Sequence, residues 1–352
     1  MALSMTLEHI LKTAQEELAS DIHLSTGRVP VLRIHRELVP LARSEVLTQE
    51  AMFEIIKEMA GQKKAERLLQ KEEQDFSFQF GDSMRLRGNA FIRSGAFGIA
   101  LRVIGEVSTF EELNLPLALK DFASKEQGFF LIVGPTGHGK STAMAALINH
   151  INKTRKEHIV TIEHPVEFSF EDNLSIVDQR EVEIDSPDFE SALRSIFRQD
   201  IDIIMIGEMR DKTTIQTAVT AAETGHLVFS TLHTNDAVQT VDRIVQSFDG
   251  SEQDQIRAQL AGALIGIFSI RLVPRIRGGL IPAYELMINN SAVSNLIREA
   301  RTHEIQSVIE TSREHGMVDM NHSLLELVRA NEITIEDALR YSLSPDILKK
   351  LF

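Results

Sequence analysis

The chain has 352 residues, of which 37 are Lys or Arg and 51 are Asp or Glu, so its formal net charge is −14. At about 150 residues per domain, this length predicts roughly two domains. Hydrophobic residues make up 43% and charged residues 25%, a balance that excludes wholesale disorder. The absence of cysteine excludes disulfides and zinc sites with cysteine ligands. The acidic total also disfavours general nucleic-acid binding, which needs a basic surface.

The sequence shows no pattern of a signal peptide or a membrane span. Residues 1–8 lack a basic start, and charged residues at positions 8–17 interrupt any apolar core. The longest apolar run, Leu260–Ile270, is shorter than the roughly 20 residues that cross a bilayer. We therefore expect a cytoplasmic protein, which can still sit against a membrane machine.

Residues 1–105 predict a small α+β domain. An amphipathic helix is expected over residues 5–19, because apolar side chains recur there at helical spacing. These side chains are Leu7, Ile10, Leu11, Ala14 and Leu18. Thr48 is a suitable N-cap for a second helix that runs to Met59. The period then changes to that of strands, which are predicted at 76–80, 84–93 and 97–104, with a turn at Gly81-Asp82.

The rest of the chain predicts an α/β core with a helical end. Residues 106–127 are interpreted as an interdomain connection, residues 128–290 as the core, and residues 291–352 as a helical region. In the core, strands and helices alternate, which favours a largely parallel sheet with helices on both faces. The predicted strands are 129–133, 159–162, 203–206 and 227–230, and the predicted helices are 187–199, 212–223, 236–247 and 251–272. The helices predicted in the last region are 291–300, 303–313, 320–330 and 334–342.

The strongest chemical signal is residues 134–141, which fit the phosphate-loop pattern G-x-x-x-x-G-K-[ST]. An apolar strand precedes this segment and a predicted helix follows it, as the motif requires. Its glycines let backbone N–H groups surround phosphate oxygens, Lys140 can neutralise phosphate charge, and the Ser141 hydroxyl can ligate Mg²⁺. The expected nucleotide-binding residues are Gly134, Pro135, Thr136, Gly137, His138, Gly139, Lys140, Ser141 and Thr142.

Two carboxylates are predicted at strand ends beside this loop. Glu208 follows the apolar strand 203–206, and ligands of open α/β sheets bind at such carboxyl ends. A carboxylate there can hold Mg²⁺ or polarise the attacking water, and its alternative role is a solvated acid at the next helix start. Glu163 ends another buried strand, which Pro165 stops from continuing. The alternative for Glu163 is a simple strand-end carboxylate.

Two histidines bracket the strand predicted at 227–230. His233 falls at the sheet edge where the phosphates are expected, so sensing of the γ-phosphate is a reasonable role. His226, at the other end, is interpreted as structural or as part of a subunit face. A metal site built from His and Glu is the competing interpretation, but the spacings fit no zinc pattern.

With these motifs the chain resembles the hexameric ATPases of the secretion superfamily, most of all the type IV pilus retraction (PilT, twitching motility) family. The resemblance covers nearly the whole sequence. The matching segments are the N-terminal signature 19–25, the arginine-bearing strand 84–91, the Walker A loop 134–141, the acidic box 161–167, the Walker B segment 203–211 with Gly-Glu-Met-Arg-Asp, the histidine box 221–234 and the C-terminal motif 292–299. The resemblance implies a PAS-like N-terminal domain, a RecA-like P-loop ATPase core, a homo-hexamer, and ATP with Mg²⁺.

The resemblance also implies a role for each matching residue. These roles are phosphate binding by Lys140, Mg²⁺ binding by Ser141 and by the Walker B acid Glu208, general-base catalysis by Glu163, and γ-phosphate sensing by His233. It makes Arg85 and Arg87 candidates to reach nucleotide bound by the neighbouring core. From the sequence alone, a solvated strand face is the simpler interpretation of these two arginines.

Two positions depart from the family pattern. The acidic box usually reads Glu-Asp-Pro, and here His164 takes the place of the Asp. The C-terminal motif usually has Arg at its third position, and here that residue is Ser294. The first leaves Glu163 in place, and the second bears on the direction of work more than on hydrolysis. Extension and type II secretion relatives typically carry an extra N-terminal domain and a four-cysteine zinc module, for which this chain has neither the length nor the cysteines.

We therefore expect a cytoplasmic motor that hydrolyses ATP to drive pilus retraction, acting on an inner-membrane platform protein. Two alternatives keep the fold: a related motor for pilus extension, secretion or DNA uptake, and a nucleotide-binding ring subunit with weak hydrolysis. A third is a RecA-like nucleic-acid motor. The acidic total and the absence of Trp, with only two Tyr, disfavour it, because single-strand channels stack bases on aromatic side chains.

Overall fold

The computed structural model describes residues 5–34, 37–41, 44–81, 84–105, 107–209 and 211–352. The chain divides into a first unit of residues 1–106 with 167–169, and a second unit of residues 107–166 with 170–352. Among the helices of the described residues, none has the length and apolar character needed to cross a bilayer.

The first unit is built on an antiparallel sheet. Its described elements are α1 (Met5–Glu16), β1 (Asp21–Ser25), β2 (Val31–Ile34), β3 (Glu37–Pro40), α2 (Gln49–Ala60), α3 (Gln62–Leu69), β4 (Gln74–Phe80), β5 (Met84–Arg93) and β6 (Ala96–Ile104). The sheet runs in the order β3-β2-β1-β6-β5-β4, and each adjacent pair is antiparallel. The strands predicted at 76–80, 84–93 and 97–104 are confirmed as β4, β5 and β6. The predicted turn at Gly81-Asp82 includes Asp82, which lies outside the described residues.

The two predicted helices of this unit are confirmed, with one correction. Helix α1 buries Leu7, Ile10 and Leu11 completely, as its amphipathic pattern predicts. It ends at Glu16 rather than at residue 19, because Leu18 takes a positive φ of 51° and is 83% exposed. The α2 helix begins after Thr48, whose side chain caps it as predicted.

The second unit is an α/β core followed by helices. Its elements up to α9 are α4 (Leu119–Ala123), β7 (Gly128–Val133), α5 (Lys140–Thr154), β8 (His158–Glu163), β9 (Ile176–Glu181), α6 (Phe189–Ile196), β10 (Ile203–Ile206), α7 (Lys212–Glu223), β11 (Leu227–Leu232), α8 (Ala237–Gln246) and α9 (Gln253–Ala263). The remaining elements are β12 (Leu264–Pro274), β13 (Leu280–Ile288), α10 (Ser291–Arg298), α11 (Ile305–Thr311), α12 (Met320–Arg329), α13 (Ile335–Tyr341), α14 (Pro345–Leu348) and two 3-10 turns, Thr302–Glu304 and Arg313–His315. The described chain from Ser291 onward is therefore helical, as predicted.

The sheet of the second unit is largely parallel, as the alternating pattern predicts. It runs in the order β13-β12-β7-β11-β10-β8-β9. The pairing of β12 with β13 is antiparallel, and the other five pairings are parallel. The strands β7, β10 and β11 are buried along their whole length. Their apolar side chains on the two faces of the sheet contribute to the core of this unit.

The predicted helix at 251–272 is wrong in its second half. Helix α9 ends at Ala263, and β12 begins at Leu264, where the chain pairs with β7 on one side and with β13 on the other. The apolar run at 260–270 carries no period that separates a helix from a buried strand. The pairing of this segment with β7 and β13 makes it a strand, and it places β12 directly beside β7, which leads into the phosphate loop.

Candidate active site

Four adjacent strands of the core sheet, β7, β11, β10 and β8, deliver the predicted site residues at their carboxyl ends. The phosphate loop follows β7, His233 follows β11, Glu208 lies two residues after β10, and Glu163 is the last residue of β8. The predicted nucleotide-binding residues occupy that loop and the first turn of α5: Gly134, Pro135, Thr136, Gly137, His138, Gly139, Lys140, Ser141 and Thr142. Arg210, within the predicted Walker B segment, lies outside the described residues.

Glycines give the phosphate loop its shape. Gly137 (φ 78°) and Gly139 (φ 84°) adopt left-handed conformations that residues with a Cβ rarely accept. Gly134 packs so closely on β12 that an added Cβ would lie 2.4 Å from the Ile270 carbonyl oxygen. Helix α5 begins at Lys140, and no described side chain caps it, so backbone N–H groups at its start are available for a phosphate.

The ammonium group of Lys140 is fixed inside the loop. Its Nζ donates hydrogen bonds to the carbonyl oxygens of Gly134 (2.9 Å) and Pro135 (3.0 Å), and it lies 3.2 Å from Nδ1 of His233. Lys140 is only 7% exposed, and a buried ammonium group needs such acceptors to offset lost hydration. Its positive charge is therefore held at the place where the loop would receive phosphate.

His233 connects the loop to Glu208. Its Nδ1 also lies 3.3 Å from Oγ1 of Thr136, and its Nε2 lies 3.6 Å from Oε2 of Glu208. Because an ammonium group can only donate, a neutral His233 accepts at Nδ1 from Lys140 and carries its proton on Nε2, on the side of Glu208. The structure thus brings four of the predicted residues, Thr136, Lys140, His233 and Glu208, into one chain of polar contacts.

Glu163 is a buried carboxylate at the same edge, with 5% of its surface exposed. Its Oε1 accepts hydrogen bonds from Oγ1 of Thr161 (2.7 Å) and from Nε2 of Gln179 (3.2 Å). The backbone N–H of Gly207 donates to the Ile162 carbonyl oxygen (2.8 Å), which continues the pairing of β10 with β8 past the end of β10. The segment that carries Glu208 therefore begins directly beside Glu163.

His226 and His164, which also lie in the matching sequence motifs, take other positions. His226 lies at the start of β11, at the opposite end from His233, and its Nδ1 is 3.1 Å from the Ala221 carbonyl oxygen. His164 is exposed, and its Nε2 is 3.3 Å from Oε1 of the exposed Glu183. The arrangement separates His226 from the residues at the strand ends.

Arg85 and Arg87 lie on β5 of the first unit. Met84 and Leu86, which alternate with them, are buried in that unit's core, so the two arginines share the opposite face of the strand. Arg85 is half-buried and Arg87 is exposed.

Sequence reasoning missed Arg271 on β12 and Asn235 in the loop after β11. Arg271 is half-buried and donates a hydrogen bond from Nη2 to Oδ1 of Asn235 (3.1 Å). Burial, together with the nearby charges of Arg271 and Lys140, lowers the pKa of His138 in the phosphate loop. The sequence signal was an arginine directly after the apolar run 260–270, which the predicted helix at 251–272 concealed.

Comparison with known proteins yields matches along nearly the whole chain. A family model described as "Type II/IV secretion system protein" matches residues 2–279. The type IV pilus retraction ATPase PilT of Pseudomonas aeruginosa is 39% identical over 348 residues, covering 97% of this chain and 99% of that protein. A twitching motility protein of Neisseria gonorrhoeae is 38% identical over 340 residues, covering 96% of this chain and 91% of that protein.

A solved structure matches the fold as well. The crystal structure of the pilus retraction motor PilT with bound ADP has a TM-score of 0.91 to this chain at 41% identity, covering 99% of this chain and 100% of that one. This likeness confirms the predicted fold class, a PAS-like α+β domain followed by a RecA-like P-loop core with a C-terminal helical region.

The close packing of Gly134 on β12 generates a stability prediction. Gly134→Ala forces the loop or β12 to move, so we expect it to lower the free energy of unfolding by about 3 kcal/mol or more. Gly137→Ala is the matched control, because Gly137 also has a positive φ but no atom lies within 4 Å of an added Cβ. Gly137→Ala should lower the free energy of unfolding only by the cost of placing a side chain on a left-handed backbone, about 1–2 kcal/mol. Denaturant unfolding of both variants without nucleotide measures the difference, and equal losses would contradict the packing argument.

Proposed function

This chain belongs to the type II/IV secretion system protein family as one of its PilT-type ATPases, and we propose that it couples ATP hydrolysis to retraction of a type IV pilus. The observation that carries the proposal is the convergence of the phosphate loop, Glu163, Glu208 and His233 at one edge of a parallel sheet. Nearly full-length relatives named for pilus retraction and for twitching motility support this direction of work.

The phosphate loop is the proposed binding site for the phosphates of ATP. Backbone N–H groups of the loop and of the start of α5 donate to phosphate oxygens, helped by the positive end of the helix dipole. Lys140 adds a full positive charge between the loop and His233. Gly137 and Gly139, with their positive φ values, let consecutive N–H groups line a concave surface.

The residues present also fit a magnesium ion. Ser141, in the first turn of α5, offers a hydroxyl oxygen, and Glu208 offers a carboxylate after β10, and both are the hard oxygen ligands that Mg²⁺ prefers. In this proposal Ser141 and Glu208 hold Mg²⁺ together with phosphate oxygens. When bound, the ion neutralises charge that develops on the phosphates during transfer.

Glu163 is the proposed general base for the attacking water. The hydrogen bonds from Thr161 and Gln179 fix the orientation of its carboxylate, which a base needs in order to meet a water in line with the γ-phosphate. His164 pairs with Glu183, while Glu163 keeps these two hydrogen bonds. This supports an active hydrolase over a ring subunit with weak hydrolysis.

His233 is the proposed γ-phosphate sensor. It contacts Thr136 and Lys140 in the loop through Nδ1 and faces Glu208 through Nε2. A phosphate that draws Lys140 toward itself takes away a hydrogen-bond donor from Nδ1 of His233. The imidazole can then shift, and its contact with Glu208 changes with it. The state of the nucleotide is thereby linked to the loop that follows β11.

We further propose that the working form is a homo-hexamer on the cytoplasmic side of the inner membrane, where it acts on a platform protein of the pilus machine. In that ring Arg85 and Arg87 of one subunit reach the nucleotide held by the neighbouring subunit. Their shared face on β5 supports this role, because side chains on one face of a strand can be directed at one ligand.

A second candidate function is that of a related motor that drives pilus extension, secretion or DNA uptake instead of retraction. Ser294 is the observation in its favour. Ser294 takes the place of the arginine usual in the family's C-terminal motif, and its hydroxyl donates to the Ala261 carbonyl oxygen (2.8 Å). The side chain at this position therefore bonds inward to the end of α9, whereas a long arginine would project from α10.

An allele-replacement experiment in cells distinguishes pilus retraction from pilus extension. Replacing the chromosomal gene with a Lys140→Ala allele should leave pili assembled but not withdrawn, so surface pili should increase and twitching motility should be lost. Electron microscopy counts pili, and a Lys153→Ala allele, altered near the other end of α5, serves as the matched control. Loss of surface pili in the Lys140→Ala cells would contradict retraction and support extension.

The proposed roles separate binding from turnover. Glu163→Gln and Glu208→Gln keep the side-chain shape but remove the charge, so we expect ATP affinity to stay within about tenfold while turnover falls strongly. Lys140→Ala is the comparator, and it should lower turnover by about two orders of magnitude or more, since it removes a charge placed for the phosphates. Parallel measurement of nucleotide affinity and steady-state hydrolysis tests this. Normal turnover in Glu163→Gln would exclude Glu163 as the base.

Mixing two inactive variants tests whether each site is completed by a neighbouring subunit. The Arg85→Ala/Arg87→Ala double variant and the Lys140→Ala variant should each be nearly inactive, because an arginine at the γ-phosphate contributes about 10³–10⁵ to the rate. Co-assembled, they should regain partial hydrolysis, since some interfaces pair an intact loop with intact arginines. No recovery despite co-assembly shown by mass spectrometry would place the completed site within one chain.

A further inference from the structure

The guanidinium group of Arg271 joins two separate parts of the core. Its Nη2 donates to Oδ1 of Asn235 (3.1 Å), in the loop after β11, and its Nη1 donates to the carbonyl oxygen of Tyr341 (3.0 Å). Both donors belong to one planar group, so the two acceptors are held in a fixed relation. A single side chain therefore ties the loop after β11 to the end of α13.

Asn235 lies two residues after His233, and its segment is fixed by the hairpin of β12 and β13. Ser269 donates from Oγ to the Asn235 carbonyl oxygen (2.7 Å), and Arg271 donates to its side chain. Two residues further along, Oε1 of the buried Glu285 accepts the backbone N–H of Ala237 (2.9 Å) at the start of α8. Three side chains of one hairpin thus hold the segment that carries His233.

The other end of the contact is a helix terminus. Tyr341 is the last residue of α13, where carbonyl oxygens lack a donor from the helix itself. A cation is favoured there by the helix dipole, so the Tyr341 carbonyl is a suitable fixed anchor for the guanidinium group. The Tyr341 ring also meets His138 of the phosphate loop edge-on, with ring centroids 6.3 Å apart. The His138 Nδ1 in turn accepts the backbone N–H of Leu272, the residue after Arg271 (3.0 Å).

We propose that Arg271 is a positioning residue for ATP hydrolysis, which acts through Asn235 to hold His233 against Lys140 and Glu208. This inference rests on the proposed function, in which His233 senses the γ-phosphate. Arg271 does not hold Lys140 or the loop glycines, so its loss should impair turnover and leave nucleotide binding nearly intact. A displacement of about 1 Å in a positioned group costs up to roughly 100-fold in rate.

The experiment compares four full-length variants with the unmodified protein. Arg271→Gln and Asn235→Ala each remove one partner of the contact, and a double variant removes both. Arg275→Gln is the matched control, because Arg275 follows β12 directly and binds the C-terminal helical region through an ion pair with Glu332 (2.6 Å). Steady-state hydrolysis gives kcat and KM, equilibrium binding gives ADP affinity, and thermal unfolding reports stability.

We expect Arg271→Gln and Asn235→Ala to lower kcat by about 10- to 100-fold, with KM and ADP affinity within about threefold. The double variant should lose no more than the larger single loss, because both changes break one contact. Arg275→Gln should keep kcat within about twofold even where its unfolding temperature falls, since a structural ion pair contributes to stability and not to positioning.

Several results would overturn the inference. They are unchanged kcat in Arg271→Gln or Asn235→Ala, losses that multiply in the double variant, or an equal loss of kcat in Arg275→Gln. If Arg271→Gln does not fold, Asn235→Ala decides alone, because Arg271 and its anchor at Tyr341 remain intact in it. An unmodified protein that binds ADP without hydrolysing ATP would overturn the proposed function itself, whereas an active protein with insensitive variants would overturn only the role of Arg271.

Discussion

Parallel, in-register pairing of β7, β11, β10 and β8 is the constraint on which the site depends. Val133 at the end of β7 pairs with Leu232, and Ile206 at the end of β10 pairs with both Ser230 and Ile162. Since all four strands run in the same direction, the residues that follow them emerge at one edge. A shift of one residue in any pairing would turn a site residue to the other face of the sheet.

The charges at this edge are tolerated because each is matched locally. Lys140 and Glu163 are almost fully buried, and removing such groups from water costs several kcal/mol unless hydrogen bonds compensate. Lys140 is compensated by two backbone carbonyls, and Glu163 by Thr161 and Gln179. Backbone acceptors are fixed by the fold, so the lysine is already oriented before any ligand arrives. This preorganisation is what electrostatic catalysis requires.

Motifs and strand periodicity predicted the part of the site that depends on local sequence. The phosphate loop, Glu208 and His233 each follow a short apolar run bounded by glycine or polar residues, and those runs are the strands β7, β10 and β11. Less local features were not predictable in this way. The end of α1 depends on the positive φ of Leu18, and the edge strand β9 is mostly polar, with its register set by pairing to β8. The sequence around these residues has no period that specifies the outcome.

Arg271 shows why support for a site is harder to recognise than the site itself. A residue that meets a ligand is attached to a strand end or a loop with a recognisable pattern, whereas a positioning residue acts through tertiary contacts. Its partners here, Asn235 and the Tyr341 carbonyl, are 36 and 70 positions away in the sequence. The pairing of β12 with β7 and the packing of α13 on β12 bring them together. The apolar run that leads into β12 has no period that separates a helix from a buried strand. The strand that was assigned wrongly from the sequence is therefore the one that links the nucleotide edge to the C-terminal helices, and a change at either end reaches the other through one guanidinium group.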